Sequence, residues 1–414
     1  MRLLQKKYLR FTLLLVATAM FFLVSTLLKA EKPAAKDEKK PEVVAPHKVE
    51  GTSSKMDEPT STNTETAKDG SESKEKKSFN AGEMIIGHIA DNHEWHLWGE
   101  GEHAVAIPLP VILYSSGKGF SIFSSSHFED GKSYQGYRII DEEFVKDQNL
   151  DHNKYINGNI VAVDENGKLD TTASAGIWDL SITKNVASLF IGVFLILFII
   201  LSVAKSYVRN KETAPKGMQS MFEPIIVFVR DDIAKNSIGE KHYKRFMPFL
   251  LTVFFFILIN NLLGLIPIFP GGANLTGNIA IPMTLAVCTF VIMMANTKKH
   301  YWRHTLAMPG IPIGVLFILT PIEILGIFLK PFVLMIRLFA NMLAGHIVAL
   351  SFFAMIFIFA EKNIFLGYGV SIMSIAFTIF MTLLDLLVSF LQAYVFTLLS
   401  AMYFGMALEE SHDH

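Results

Sequence analysis

Two apolar runs near the C-terminus, 312–360 and 365–407, constrain this chain more than any other feature. Each holds about twice the roughly 20 apolar residues with which a perpendicular helix crosses the roughly 30 Å hydrocarbon core of a bilayer. Three shorter runs precede them: LFIGVFLILFIILSVA (189–204), FMPFLLTVFFFILINNLLGLI (246–266) and IAIPMTLAVCTFVIMMA (279–295). A composition of 51% hydrophobic residues and a mean hydropathy of +0.37 agree with a membrane protein that carries soluble appendages. The expected fold is an all-α polytopic membrane protein with five transmembrane helices, a surface amphipathic helix and a small β-rich exported N-terminal domain.

A helix from Pro321 to Ala360 would be about 60 Å long. Either the two long runs break, at Pro331 or Gly345, or they lie strongly tilted. The tilted form is expected here: a long C-terminal helical hairpin turning at LGYG (366–369). Between the first two spans, Met218, Met221, Phe222, Ile225, Ile226, Val229 and Ile233 fall at helical spacing, with Glu223, Arg230, Asp231 and Lys235 elsewhere. That pattern predicts a helix lying on the membrane surface.

The first 30 residues place Arg2, Lys6, Lys7 and Arg10 before an apolar run from Phe11 to Leu28, the order of a signal peptide or signal anchor. Residues 31–78 lack aromatics and are dense in Lys, Glu, Ser, Thr and Pro, which predicts a disordered linker. Residues 79–180 alternate short β-type runs (AVAIPLPVILY, GFSIFSS, IVAV) with GKG, DGK and ENGK turns, which predicts a small β-rich domain. The membrane domain is expected over 185–414. His88, His93, His96 and His103 crowd into the start of the small domain, but their spacing fits no zinc pattern. A solvated hairpin with incidental histidines is the expectation, and no metal or cofactor is assigned.

Lys205, Arg209, Lys211, Lys216, Lys241, Lys244 and Arg245 fall on one side of the membrane, and Lys298, Lys299 and Arg303 return to it. The opposite loop, FPGGANLTGN, carries no charge. The positive-inside bias therefore makes the N-terminal domain periplasmic and the C-terminal tail cytoplasmic. The single cysteine, Cys288, lies in an apolar run, which leaves no disulfide framework.

Polar residues in the hairpin follow helical phase. Glu323, Lys330, Arg337 and Asn341 form one stripe; Thr378, Thr382, Asp385, Ser389 and Gln392 form another. Counted from a turn near 363, Arg337 and Gln392 sit at similar depth. His346 and Asp385 share a second layer nearer the turn. Bland roles compete: Lys330 can snorkel, Thr-Pro-Ile-Glu around Glu323 has the form of a capping box, and His346 with Asp385 can be a plain ion pair. Arg337 is harder to dismiss, because a cation at mid-bilayer costs about 2.5–3.5 kcal/mol on insertion scales and the hairpin offers no carboxylate at its depth.

IRLFANMLAGHIV, followed by FLQAYVFTLLSAMYFGMALEESH, closely resembles the signature of subunit a of the F-type ATP synthase; VFLILFIILSVAK, FFILINNLLGLIP and TPIEILGIFLKP extend the likeness over roughly 185–410. The resemblance implies a non-catalytic proton-channel stator in a bacterial inner membrane. Its implied partners are a rotating ring of small hairpin subunits with mid-membrane carboxyl groups (the c-ring), peripheral-stalk b subunits and the remaining synthase subunits. By the same resemblance, Arg337 corresponds to the family's essential arginine, Asn341 and Gln392 to polar residues near it, and Glu323 to an acid of the inner access path. His346 and Asp385 fall where the family carries a titratable pair. Asn260, Asn261, Ser389 and Lys330 are candidates for lining the half-channels. Rival classes are a secondary transporter holding an anionic solute at Arg337, for which no internal repeat is found, and an envelope scaffold, which leaves the polar stripes unexplained. No Walker motif or nucleophile–base arrangement points to bond chemistry.

Overall fold

The computed structural model describes residues 81–408, apart from 99–104, 152–154, 156, 210–213, 267–268, 299–300, 303–304 and 306–312. The expected signal segment (1–30) and linker (31–78) lie outside the described residues, as does His103. The N-terminal domain begins with a helix, α1 (Ala81–Ile89), ahead of its short strands. β1 (Glu94–Trp98) then pairs antiparallel with β2 (Val105–Pro108). β3 (Pro110–Ser115) pairs with β4 (Gly119–Ser124) and with β7 (Ile177–Asp179), giving the order β4-β3-β7. β5 (Tyr137–Ile139) pairs with β6 (Ile160–Ala162). Two short helices, α2 (Glu142–Asp147) and α3 (Thr171–Ala175), are each capped by an aspartate, Asp141 and Asp170. Alternation along β3 turns Val111 and Leu113 into a core with Phe123, Phe128 and Tyr137.

Four membrane-capable helices follow: α4 (Lys184–Arg209), α6 (Tyr243–Leu265), α8 (Ile313–Lys362) and α9 (Ile364–Leu408). α7 (Ala280–Asn296) is apolar throughout but has only 17 residues. Between α4 and α6 lie α5 (Met218–Phe228), a π-helical stretch at Val229–Lys235 and one further turn, Asn236–Ile238. This segment does not simply float on a membrane surface. Phe222, Val229 and Ile233 enter the main core with Leu250 and Phe254 of α6 and Phe404 of α9. Met218 and Met221, on the apolar stripe expected to face the membrane, are exposed on this bundle. Gln219 beside them is buried, and its side chain accepts from Ser206 Oγ at 2.8 Å.

The long hairpin differs from expectation at both ends. α8 is one helix of 50 residues, about 75 Å, with Pro321 and Pro331 inside it and no break at Pro331 or Gly345. Thr320 and Pro321 therefore lie well inside the helix, and the capping-box reading of Glu323 fails. A membrane helix accommodates such prolines because neighbouring groups take up the freed carbonyls. The turn is at Asn363, not at LGYG: Asn363 Oδ1 accepts from Phe365 N at 2.9 Å and caps α9. Gly367 of LGYG serves packing instead, since a Cβ there would sit 2.8 Å from Ala360 Cα. At the far end of the molecule, Lys298 N donates to Ala407 O at 3.1 Å, tying the end of α7 to the end of α9.

Candidate functional site

Arg337 lies on the outward face of α8, exposed, with exposed Val333 and Ile336 beside it and exposed Asn341 one turn on. The opposite face of this part of α8 is buried through Leu334, Met335, Leu338 and Met342. Among the described residues, ion pairs occur within the N-terminal domain and along the π-helical stretch, and none involves Arg337. The guanidinium thus points away from its own bundle.

Toward the C-terminal end of the bundle, Lys330 does not reach freely for an interface. Its Nζ lies 5.7 Å from the ring centroids of both Tyr301 and Tyr403. Lys330 and the two tyrosines therefore form one group where α7's distal segment, α8 and α9 meet, with Glu323 seven residues before Lys330 on α8. The tyrosines are invisible to helical phasing because they come from other segments.

His346 and Asp385 flank one backbone position but form no ion pair with each other. Asp385 lies directly over Gly345: a Cβ built there would meet Asp385 Oδ1 at 2.7 Å and Cγ at 3.1 Å. His346 turns the other way, toward the end of α6, where a Cβ on Gly264 would lie 3.8 Å from its Nε2 and 3.2 Å from Ala273 O. His346 Nε2 is buried without a hydrogen-bond partner among the described residues. The expected shared layer is present, but the helix α8 backbone separates its two members.

Asn260 and Asn261 are buried at 2% and 0% exposure on α6. Asn260 Nδ2 donates to Phe256 O at 2.8 Å, and its Oδ1 packs against the bare Cα of Gly192 on α4 without a partner. Asn261 Oδ1 accepts from Thr276 Oγ1 at 2.7 Å, and its Nδ2 has no partner. Gln392 and Ser389 are also buried. Thr378, Thr382 and Ser389 fold their hydroxyls onto carbonyls of their own helix, those of Ser374, Thr378 and Asp385. The second stripe is therefore internally satisfied apart from its ionisable and amide members.

A family model described as ATP synthase A chain matches residues 186–405. The chain belongs to the ATP synthase subunit a family. ATP synthase subunit a of Chloroherpeton thalassium is 43% identical over 249 residues, which cover 58% of this chain and 72% of that protein. ATP synthase subunit a 2 of Chlorobaculum tepidum is 48% identical over 244 residues, 57% of this chain and 66% of its own length. ATP synthase subunit a of Myxococcus xanthus is 39% identical over 246 residues, 58% of this chain and 77% of its own length. A second family model, a domain of unknown function, matches residues 84–180. The hairpin residues of the candidate site fall inside the subunit a match, and so do Asn260, Asn261 and Tyr301. Lys184 and the whole N-terminal domain fall outside it.

Proposed function

We propose that this chain is the proton-translocating, non-catalytic stator of the ATP synthase membrane sector, working against a ring of small hairpin subunits. It would assemble with that ring, with peripheral-stalk b subunits and with the rest of the synthase. In this reading the chain sits in a bacterial inner membrane with residues 79–180 periplasmic and the C-terminus cytoplasmic. The observation that carries the reading is Arg337: a cation on the outward face of an apolar helix, in no ion pair among the described residues. A charge held at the depth of the hydrocarbon core needs a partner, and a ring carboxylate passing that face supplies one.

Protons enter from the N-terminal-domain side past Asn260, Asn261 and the His346–Asp385 layer and neutralise a ring carboxylate. The orphaned amide atoms and His346 Nε2 support this route, since buried polar groups of that kind call for water or a mobile proton. On the other side, Glu323 and Lys330, framed by Tyr301 and Tyr403, form the exit. Arg337 separates the two paths. Its charge favours the ionised ring site as it passes, and it cannot give up its own proton, so no proton leaks across through it. Asn341 and Gln392 flank the crossing from α8 and α9. One charge crossing 100 mV is worth about 2.3 kcal/mol, so several protons must be pooled per ATP made elsewhere in the complex.

Replacing Arg337 tests this directly. Arg337→Ala should abolish ATP-driven acidification of inverted membrane vesicles while the subunit remains in the purified complex. Normal pumping by that variant would remove the core of the reading.

A further inference from the structure

The three-stranded sheet of the N-terminal domain is apolar on both faces. One face, through Val111, Leu113 and Phe123, builds the domain core. The other is set by register: Tyr114 lies between Phe120 and Trp178, and Ile112 faces Ile122. Beyond β7 the ladder continues, as Leu180 N donates to Ile112 O at 2.8 Å and Ile182 N to Pro110 O at 3.0 Å. Three rows therefore share this face: Phe120–Tyr114–Trp178, Ile122–Ile112–Leu180 and Ser124–Pro110–Ile182. None of these nine residues is charged. Phe120 and Ile122 are each 68% exposed, Trp178 43% and Tyr114 39%. Between Cα atoms the grid is about 10 Å wide and about 14 Å long. An antiparallel sheet with one solvated face ordinarily alternates apolar with polar residues, so an exposed apolar second face marks a binding surface.

The bundle decides which medium that surface meets. α4 has 26 residues, about 39 Å, close to the roughly 40–45 Å of a bilayer with its headgroups, so its first residue, Lys184, lies at the headgroup boundary. Ile182 comes two residues earlier, and Trp178, six residues before Lys184, is within about 20 Å of it even at full extension. Contacts hold the domain at that level. Asp91 caps α4 from outside that helix: its Oδ1 accepts from Asn185 N at 3.0 Å and its Oδ2 from Thr183 Oγ1 at 2.9 Å. Lys184 is 8% exposed, and its Nζ donates to His88 O at 3.0 Å, in the last turn of α1. α1 packs along α8, and Trp95 stacks edge-on against Phe269 of the α6–α7 loop at 5.2 Å. The apolar row that ends at Ile182 is followed at once by α4, whose Phe190 and Phe194 are exposed.

We propose that this sheet face rests in the headgroup layer of the bilayer and seats the N-terminal domain on lipid. The chemistry matches. Tryptophan and tyrosine gather where acyl chains meet headgroups, since each has an apolar body and one polar atom. Phenylalanine and isoleucine supply the apolar area that drives such interfacial binding. Segment 31–78 of the same chain suits the face poorly, being dense in charge and without Leu, Ile or any aromatic residue.

The test uses the intact complex in vesicles of phosphatidylcholine and phosphatidylglycerol. In a Cys288→Ala background, Ile122→Cys carries a nitroxide label. Its relaxation by oxygen, which concentrates in lipid, is compared with relaxation by a charged nickel chelate, which stays in water. Glu165→Cys, exposed in the turn between β6 and α3, is the control. The oxygen-to-nickel ratio at position 122 should exceed that at position 165 several-fold. A ratio equal to the control means water over the face and overturns the proposal. A label shielded from both reagents also overturns it, because a protein neighbour, a second copy of this chain or another subunit, would then cover the face. Should Ile122→Cys fail to assemble, Phe120→Cys on the same face is read in the same way. None of these outcomes bears on the role of Arg337.

Discussion

Gly345→Ala is the most demanding test of the outer layer, because one methyl group must find room where Asp385 already lies. A Cβ at 345 would be 2.7 Å from Asp385 Oδ1, and ordinary contact begins at 3.4 Å, so the carboxylate must retreat by about 0.7 Å. Alanine is also the better helix former, by about 0.8–1.0 kcal/mol. Overpacking costs about 1–3 kcal/mol, so the two effects largely offset each other and the subunit should still assemble. Function should suffer more than stability. A misplacement of about 1 Å at a reacting group can cost about 10²-fold, so a retreat approaching that size predicts a fall in proton flux on the order of tenfold or more. The assay is ATP-driven acidification of inverted vesicles, normalised to the subunit content of the complex. Gly369→Ala on α9, with nothing within 4 Å of the added Cβ, is the control and should pump normally. Equal pumping by the two variants would refute the placement of Asp385 over the α8 backbone.

Exchanging the layer, His346→Asp with Asp385→His, should retain more flux than either single change, as a relay needs both groups but not their order; additive losses in the same vesicle assay would refute that. Gly405→Ala drives a Cβ into the backbone carbonyl of Ser237, which cannot swing away, so the purified complex should melt earlier by about 1–3 kcal/mol of stability. In the N-terminal domain, burial works against ionisation of Asp179, but the hydrogen bond and charge of His93, at 3.1 Å, together with Ser181 hold its carboxyl below the usual 3.8. A folded value below the unfolded one means that this contribution is complete above pH 3.8 and is lost as pH falls through the depressed value. Hydrogen exchange at β7 should therefore stay slow to about that pH and quicken below it, and Asp179→Asn should flatten the change.

Much of the site was legible because a charge in an apolar helix has few innocent explanations. Arg337, Glu323, His346 and Asp385 stand out on hydropathy and phase alone. Their surroundings did not, since Tyr301, Tyr403, Gly264 and Gly345 carry no signal until helices from distant segments are packed together. Gly345 looked like a candidate break in α8 and proves to be the seat of Asp385. His93 looked like one of several incidental surface histidines. It is 6% exposed and bonded to Asp179, which lies 86 residues further along the chain. The Met218–Ile233 stripe was periodic enough to predict a helix, yet it could not reveal that the polar Gln219 beside it would be buried and bonded to Ser206.

The sequence by itself determined the solvent. Runs of apolar residues too long for a soluble core require a bilayer, and the same runs set the order of helices and expose the few charges that function must explain. Only the tertiary structure decided which way those charges face. Helical phase fixes neighbours on one helix, but whether Arg337 points outward or Lys184 inward depends on packing among segments far apart in sequence. That packing seats the N-terminal domain against α4, α8 and the α6–α7 loop through contacts that no local pattern encodes.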